Sequence, residues 1–165
     1  EYRKYFIEKI SNSIEDIHNL ITKCGKEDIK IKYISNSKNK ESFLENLKKS
    51  RTVDIKRGFT ATGVHRDDFM IYINSRPVSI FGSQGQQRTT ILTLKLCELK
   101  IVKEEIGDTP ILLLDDYMSE LDEKRRTSFL ENIKGNQVII TCTDRIDLEN
   151  ESSIYYVENG ICKKV

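Results

Sequence analysis

The chain has 165 residues, 38% hydrophobic and 32% charged, with a formal net charge of +1. That suffices for one domain with a real core, or for one lobe of a larger domain. No apolar run approaches the roughly 20 residues that a membrane-spanning helix needs, which excludes a transmembrane segment. The opening Glu1-Tyr2-Arg3-Lys4 carries neither an initiator methionine nor an apolar signal core, so a fragment of a longer protein is expected.

Residues 2–22 place Tyr2, Phe6, Ile10, Ile14, Ile17 and Ile21 at three- and four-residue intervals, which predicts one amphipathic helix. Lys30 to Ile34 reads as a short strand, Asn36 to Lys40 as a loop, and Glu41 to Ser50 as a second helix through Phe43, Leu44 and Leu47. Residues 26–57 hold ten Lys or Arg against five acids, a local excess of +5, so the remainder sums to −4. Such a stretch is either a solvated lysine-rich face, the plainer reading, or a surface for a phosphate backbone.

From Gly58 the character changes. Phe69 to Ile73 and Val78 to Phe81 read as strands joined by a turn at Asn74-Ser75-Arg76-Pro77. A long helix follows, with Leu92, Leu96, Leu99, Val102 and Ile106 as its stripe and Gly107 as its end. Ile111 to Leu114 is an unbroken apolar run, as a parallel strand covered on both faces requires. A helix over Glu123 to Ile133 ends near Gly135, and Gln137 to Cys142 gives another buried strand. Ser153 to Val157 and Ile161 to Val165 flank Glu158-Asn159-Gly160 as a hairpin. This order argues for an α/β lobe.

The four cysteines are Cys24, Cys97, Cys142 and Cys162, with no C-x-x-C pair and only two histidines, so a zinc site is not expected. Cys97 and Cys142 lie in apolar stretches and are expected to be buried and reduced, as in a cytosolic protein.

The chemistry gathers at two places. Ile111-Leu112-Leu113-Leu114-Asp115-Asp116 would deliver two acids at the C-terminal edge of a parallel strand, where open α/β sheets bind ligands. One acid there can hold the magnesium that bridges nucleotide phosphates, and its neighbour can orient or deprotonate water. Alone, this pattern serves equally well as a polar turn. Gly82-Ser83-Gln84-Gly85-Gln86-Gln87-Arg88 precedes the long helix, and a helix N-terminus aims free N–H groups at an anion. The plainer reading of Ser83 and Gly85 is a helix cap.

In this order and at this distance, the two motifs resemble those of ABC-type ATPases. Gly82 to Gln86 stands where that superfamily has its signature, Asp115 at the Walker B aspartate, and Ser119-Glu120-Leu121-Asp122 at the D-loop. The resemblance is closer to the RecF family of bacterial DNA replication and repair proteins. Gly63-Val64-His65-Arg66-Asp67-Asp68, Gly82 to Thr89, Leu114 to Asp122 and Ile140-Thr141-Cys142-Thr143-Asp144 carry it, all within residues 58–165. Residues 1–57 correspond loosely to that family's helical arm, or lobe II. Departures are Val64 where a proline is expected, Thr143 where ABC transporters have a switch histidine, and Asp116 in place of their glutamate.

The fold implied is α/β, the C-terminal part of a P-loop ATPase head: a mixed sheet flanked by helices, with an N-terminal helical segment. The phosphate-binding loop G-x-x-x-x-G-K-[ST] is absent: Gly25-Lys26 is followed by Glu27, and Leu20 stands where the first glycine belongs. The resemblance implies a head-to-head homodimer with ATP, in which Ser83, Gln84, Gly85 and Gln86 contact nucleotide held by the other subunit. It assigns Mg2+ to Asp115, the water to Asp116, and cross-interface communication to Ser119, Glu120, Leu121 and Asp122. It implies a cytoplasmic, slow DNA-dependent ATPase, inactive as this chain alone, that clamps DNA at single-strand/duplex junctions. Replication, recombinational repair, the SOS response and the partners RecO and RecR belong to the same implication, with no membrane role. An SMC-type structural ATPase head and a non-catalytic dimerisation or DNA-interaction module are the alternatives. His65 is expected to be a structural turn histidine, with Arg66 and Asp67 bracing the hinge between the hairpin and the signature helix; Arg88 serves either a partner contact or an acid of its own chain.

Overall fold

A computed structural model of the chain describes residues 1–23, 27–116, 118, 121–143 and 152–165. The first predicted helix is two: α1 (Tyr2–Ser11) and α2 (Ile14–Thr22), divided at Asn12-Ser13. The break rotates the apolar stripe, so Ile10, Ile14, Ile17 and Ile21 are buried while Tyr2 is 89% exposed. Strand β1 (Ile29–Ile34) follows, with Ile29 and Ile31 facing inward. Helix α3 (Lys40–Arg57) runs past the predicted end at Ser50, because no glycine or proline interrupts it before Gly58. An Asn39–Ser42 capping box starts it, and Gly58 ends it at φ 73°. No α3 residue is buried. Its Lys40, Lys48, Lys49, Arg51, Lys56 and Arg57 outnumber Glu41, Glu45 and Asp54 along a solvated rod.

Strand β2 (Asp68–Ile73) pairs antiparallel with β1 over six residues, Ile29 opposite Ile73. Asn74 and Ser75 both take positive φ, the two-residue turn that suits a twisted hairpin. The returning strand β3 (Arg76–Pro77) is only two residues long. Pro77 has no N–H to continue a ladder. Val78–Phe81, expected as a strand, is instead the short helix α4.

Helix α5 (Gln84–Ile106) spans 23 residues and ends at Gly107, φ 72°. Its buried face is Thr89, Thr90, Leu92, Thr93, Leu96, Cys97 and Ile101. Leu92 and Leu96 of the predicted stripe are buried and Leu99 packs against the core, but Ile106 is 69% exposed, and threonines share the core face. They can do so because Thr89, Thr90 and Thr93 each donate to the carbonyl four residues back. Strands β4 (Leu112–Asp115) and β5 (Val138–Thr141) pair in parallel across helix α6 (Glu123–Asn132). Leu112 and Leu114 are buried, whereas Leu113 is 66% and Ile139 54% exposed. One face of this pair is therefore covered within the chain and the other is open, unlike the strand covered on both sides that the apolar run predicts. The tail hairpin, β6 (Tyr155–Glu158) and β7 (Ile161–Lys164), turns on Asn159-Gly160 as expected.

Helix α2 packs against α1, α5, α6 and β1, and one hydrophobic cluster runs from Ile10 to Ile133. Residues on both sides of position 57 share this core and the β1–β2 ladder. No helix among the described residues is long and apolar enough to cross a membrane. Cys97 is buried as expected, but Cys142 is exposed, as is Cys162. Cys142 lies just past the end of β5, where the chain leaves the sheet. Burial pushes the Cys97 thiol up, against an opposing hydrogen bond with Ser13. Alkylation under native conditions should therefore modify Cys162 and leave Cys97 intact; mass mapping that finds both modified at similar rates would contradict this packing.

Candidate nucleotide-binding half-site

The segment expected as the signature sits at the start of α5. Ser83 is the N-cap; its hydroxyl accepts from Gln86 N–H at 3.2 Å, and Gln86 Oε1 accepts from Ser83 N–H at 3.0 Å. This reciprocal cap fixes the serine, as the plainer reading requires, and it also prepares the anion site. The N–H groups of Gln84 and Gly85, in the first turn, precede the first intrahelical bond and point along the axis with the positive end of the dipole. Ser83 and Gln84 are exposed, and Gly85 and Gln86 half-buried. A Cβ on Gly85 would lie 2.6 Å from Arg125 Nη1, so glycine lets the guanidinium lie against this turn.

The two acids stand at the C-terminal edge of β4. Asp115 Oδ1 accepts from the Thr141 hydroxyl at the end of β5. Asp116 N–H donates to both Thr141 O and Thr141 Oγ1, each at 3.1 Å. Asp116 adopts φ 54°, a left-handed bend that ends the strand abruptly and leaves both acids exposed. Thr141 therefore holds the pair from the neighbouring strand. The carboxylates fit a hard divalent cation: one Asp115 oxygen is engaged by a hydroxyl donor, and its geminal oxygen has the chemistry magnesium prefers.

Ser119 and Glu120 of the expected D-loop lie outside the described residues, as does Asp144. Met118 and Leu121 are buried, and Leu121 N–H donates to Met118 O at 3.4 Å. Asp122 caps α6, accepting from Arg125 N–H at 3.0 Å, with its other oxygen 3.4 Å from Arg125 Nη1. Arg125 thus spans from Asp122 to the Gly85 turn, joining the start of α6 to the start of α5.

His65 has the expected structural role: its Nε2–H donates to Thr60 O at 2.8 Å. Arg66 stacks on Phe59, 5.7 Å from the ring centroid. Asp67 accepts from the Tyr33 hydroxyl and from Asn36 N–H. These contacts brace the α3–β2 connection against β1, not the hinge to the signature helix that was expected. Arg88 lies half-buried one turn into α5.

Sequence reasoning missed four residues: Thr141, Arg125, Glu27 and His18. Thr141 stood inside a motif, but nothing in the motif showed that it would face Asp115. Glu27, His18 and Arg125 carry no local pattern at all. Glu27 Oε1 accepts from Gln86 Nε2–H at 2.9 Å, and its Oε2 lies 2.8 Å from His18 Nε2. Partial burial pushes the Glu27 carboxyl up, but the Gln86 and His18 hydrogen bonds and the charges of His18 and Arg125 outweigh it, holding the group below its usual value.

No family model matches the chain. Curated relatives do. The chain is 45% identical over 166 residues to the DNA replication and repair protein RecF of Clostridium perfringens, covering 96% of this chain and 46% of that protein. It is 48% identical to the protein of the same name from Clostridium botulinum, again over 96% of this chain and 46% of the relative. Among solved structures, the recombination mediator protein RecF-ATP in the RecFOR pathway superposes with a TM-score of 0.78 at 37% identity, covering 99% of this chain and 45% of that one. Identity at this level along nearly the whole chain, with the same α/β ATPase fold, leaves one assignment: the chain belongs to the RecF family and spans just under half the length of the curated members it matches.

Proposed function

We propose that this chain is the trans-acting, magnesium-side half of a RecF-like ATPase that binds DNA in replication, recombinational repair and the SOS response. The observation that carries the reading is the pairing of an exposed, capped helix N-terminus at Ser83 with two exposed acids at the edge of β4. In the complete cytoplasmic protein, the remaining half supplies the phosphate-binding loop and covers the open face at Leu113 and Ile139. ATP held by one subunit is covered by Ser83, Gln84, Gly85 and Gln86 of the other. Asp115 holds Mg2+, which when bound neutralises phosphate charge. Asp116 orients the attacking water and takes its proton. Ser119, Glu120, Leu121 and Asp122 communicate between the two sites across the interface. ATP then acts as a reversible clasp on a homodimer that encloses DNA at single-strand/duplex junctions, with RecO and RecR as partners. The basic rod α3 gives the clamp a phosphate-facing surface.

The test is Ser83→Arg in the full-length protein. The long cation replaces the cap hydroxyl and fills the space a phosphate would take. ATP-dependent dimerisation, followed by light scattering, should be lost. Dimerisation at wild-type ATP concentrations would sink the sandwich.

A further inference from the structure

A polar circuit leaves α5 at its cap and returns to it two turns later. Ser83 N–H donates to Gln86 Oε1, and Gln86 Nε2–H donates to Glu27 Oε1. Glu27 Oε2 meets His18 Nε2, and His18 Nδ1 lies 2.9 Å from Thr93 Oγ1. Thr93 Oγ1–H donates to Thr89 O at 2.8 Å. That hydroxyl proton is committed, so Thr93 accepts from Nδ1–H, and the ring's second nitrogen faces the Glu27 carboxylate at 2.8 Å. His18, Thr93 and Thr89 are fully buried, so the inner links are made in a low dielectric where an unmade bond is costly, while the bridge from Glu27 to the cap runs out to the surface.

The circuit has a direction. Gln86 cannot reverse its amide: the flip would set its oxygen against a carboxylate and its NH2 against the Ser83 N–H. Glu27 therefore decides which way Gln86 faces, and Gln86 decides where the Ser83 backbone sits. Arg125 adds a positive charge near Glu27 and lies against Gly85, closing the other side of the same turn. A network that only glued α2 to α5 could stop at Thr93 and His18. This one extends through Glu27 to the cap.

We propose that Glu27 and His18 are positioning residues for the nucleotide-contacting cap, fixing Ser83 and the first turn of α5 through the Gln86 side chain in the geometry that grips a partner-bound phosphate. The proposal rests on the trans contact of Ser83 with that phosphate. It makes the arm-side helix α2 part of the ATP site without touching nucleotide.

A polarity swap tests it in the full-length protein. Gln86→Glu keeps the acceptor for Ser83 N–H but sets two carboxylates face to face. The ATP concentration for half-maximal dimerisation should rise about 10-fold or more. Adding Glu27→Gln reverses the bridge: the new amide donates to the carboxylate now at position 86, and its oxygen accepts from His18. Dimerisation should return to within about three-fold of wild type. Glu27→Leu removes the bridge without touching Gln86, and should weaken dimerisation about 10-fold while the monomer's own ATP affinity, measured below the dimerisation concentration, stays within about two-fold. A double variant no better than Gln86→Glu, or a Glu27→Leu variant that dimerises normally, overturns the positioning role while Ser83→Arg still disrupts the dimer. If Ser83→Arg dimerises normally, the trans contact itself fails and the positioning role with it.

Discussion

Asp116→Asn should lower ATP hydrolysis by the full-length protein about 10²–10⁴-fold while leaving ATP-dependent dimerisation intact. The backbone argues for so clean a separation. Asp116 sits at φ 54° with its N–H held by both Thr141 oxygens, and asparagine tolerates that left-handed conformation as well as aspartate does. The bend, the strand end and Asp115 all keep their places; only the proton acceptor is removed. Asp115→Asn acts differently. Its amide oxygen can still accept from Thr141, but the charge offered to magnesium is gone, so hydrolysis and ATP-dependent dimerisation should fall together. Steady-state phosphate release and light scattering on the same two variants read the difference. Wild-type hydrolysis in both would mean that the acids are a polar turn with no part in the chemistry.

Periodicity and turn chemistry made much of the fold legible. The Asn159-Gly160 hairpin, the Gly107 stop and the β4 run into Asp115 each depend on residues adjacent in the chain, and each is where the pattern puts it. The errors share a cause. The break at Asn12-Ser13, the helix at Val78–Phe81 and the threonines on the core face of α5 are decided by what packs against them, which no local window contains. Threonine at the α5 core face is a good instance. It reads as polar, yet its hydroxyl is satisfied by its own helix, and the methyl is free to pack. The site divides in the same way. Ser83 to Gln86 and Asp115-Asp116 announce themselves by sequence, because a helix N-terminus and a strand edge are local structures. Glu27 and Thr141 act on those groups across 59 and 26 positions, and a bond of that span leaves no trace in one sequence.

Phe129→Ala should destabilise the protein by about 3–5 kcal/mol. Phe129 is the largest fully buried side chain among the described residues, and it sits on α6, which packs against α2. Its neighbours Ser128 and Ile133 are buried as well, so the surroundings have little room to collapse into the void, and the cavity term adds to the lost transfer energy. Phe129→Leu retains most of the volume and should cost far less, about 1.5 kcal/mol or under. Ile106→Ala, at a 69% exposed position, should stay within about 0.5 kcal/mol. The consequence extends past stability, because α6 begins at Asp122 and α2 carries His18. A cavity under α6 should loosen the Asp122 cap and, through the α2–α6 packing, the support of the Gln86 bridge together. Amide hydrogen exchange should therefore accelerate about 100-fold or more in both α2 and α6 of Phe129→Ala, since every 1.4 kcal/mol is about a factor of ten. Acceleration confined to α6 would show that α2 stands without it.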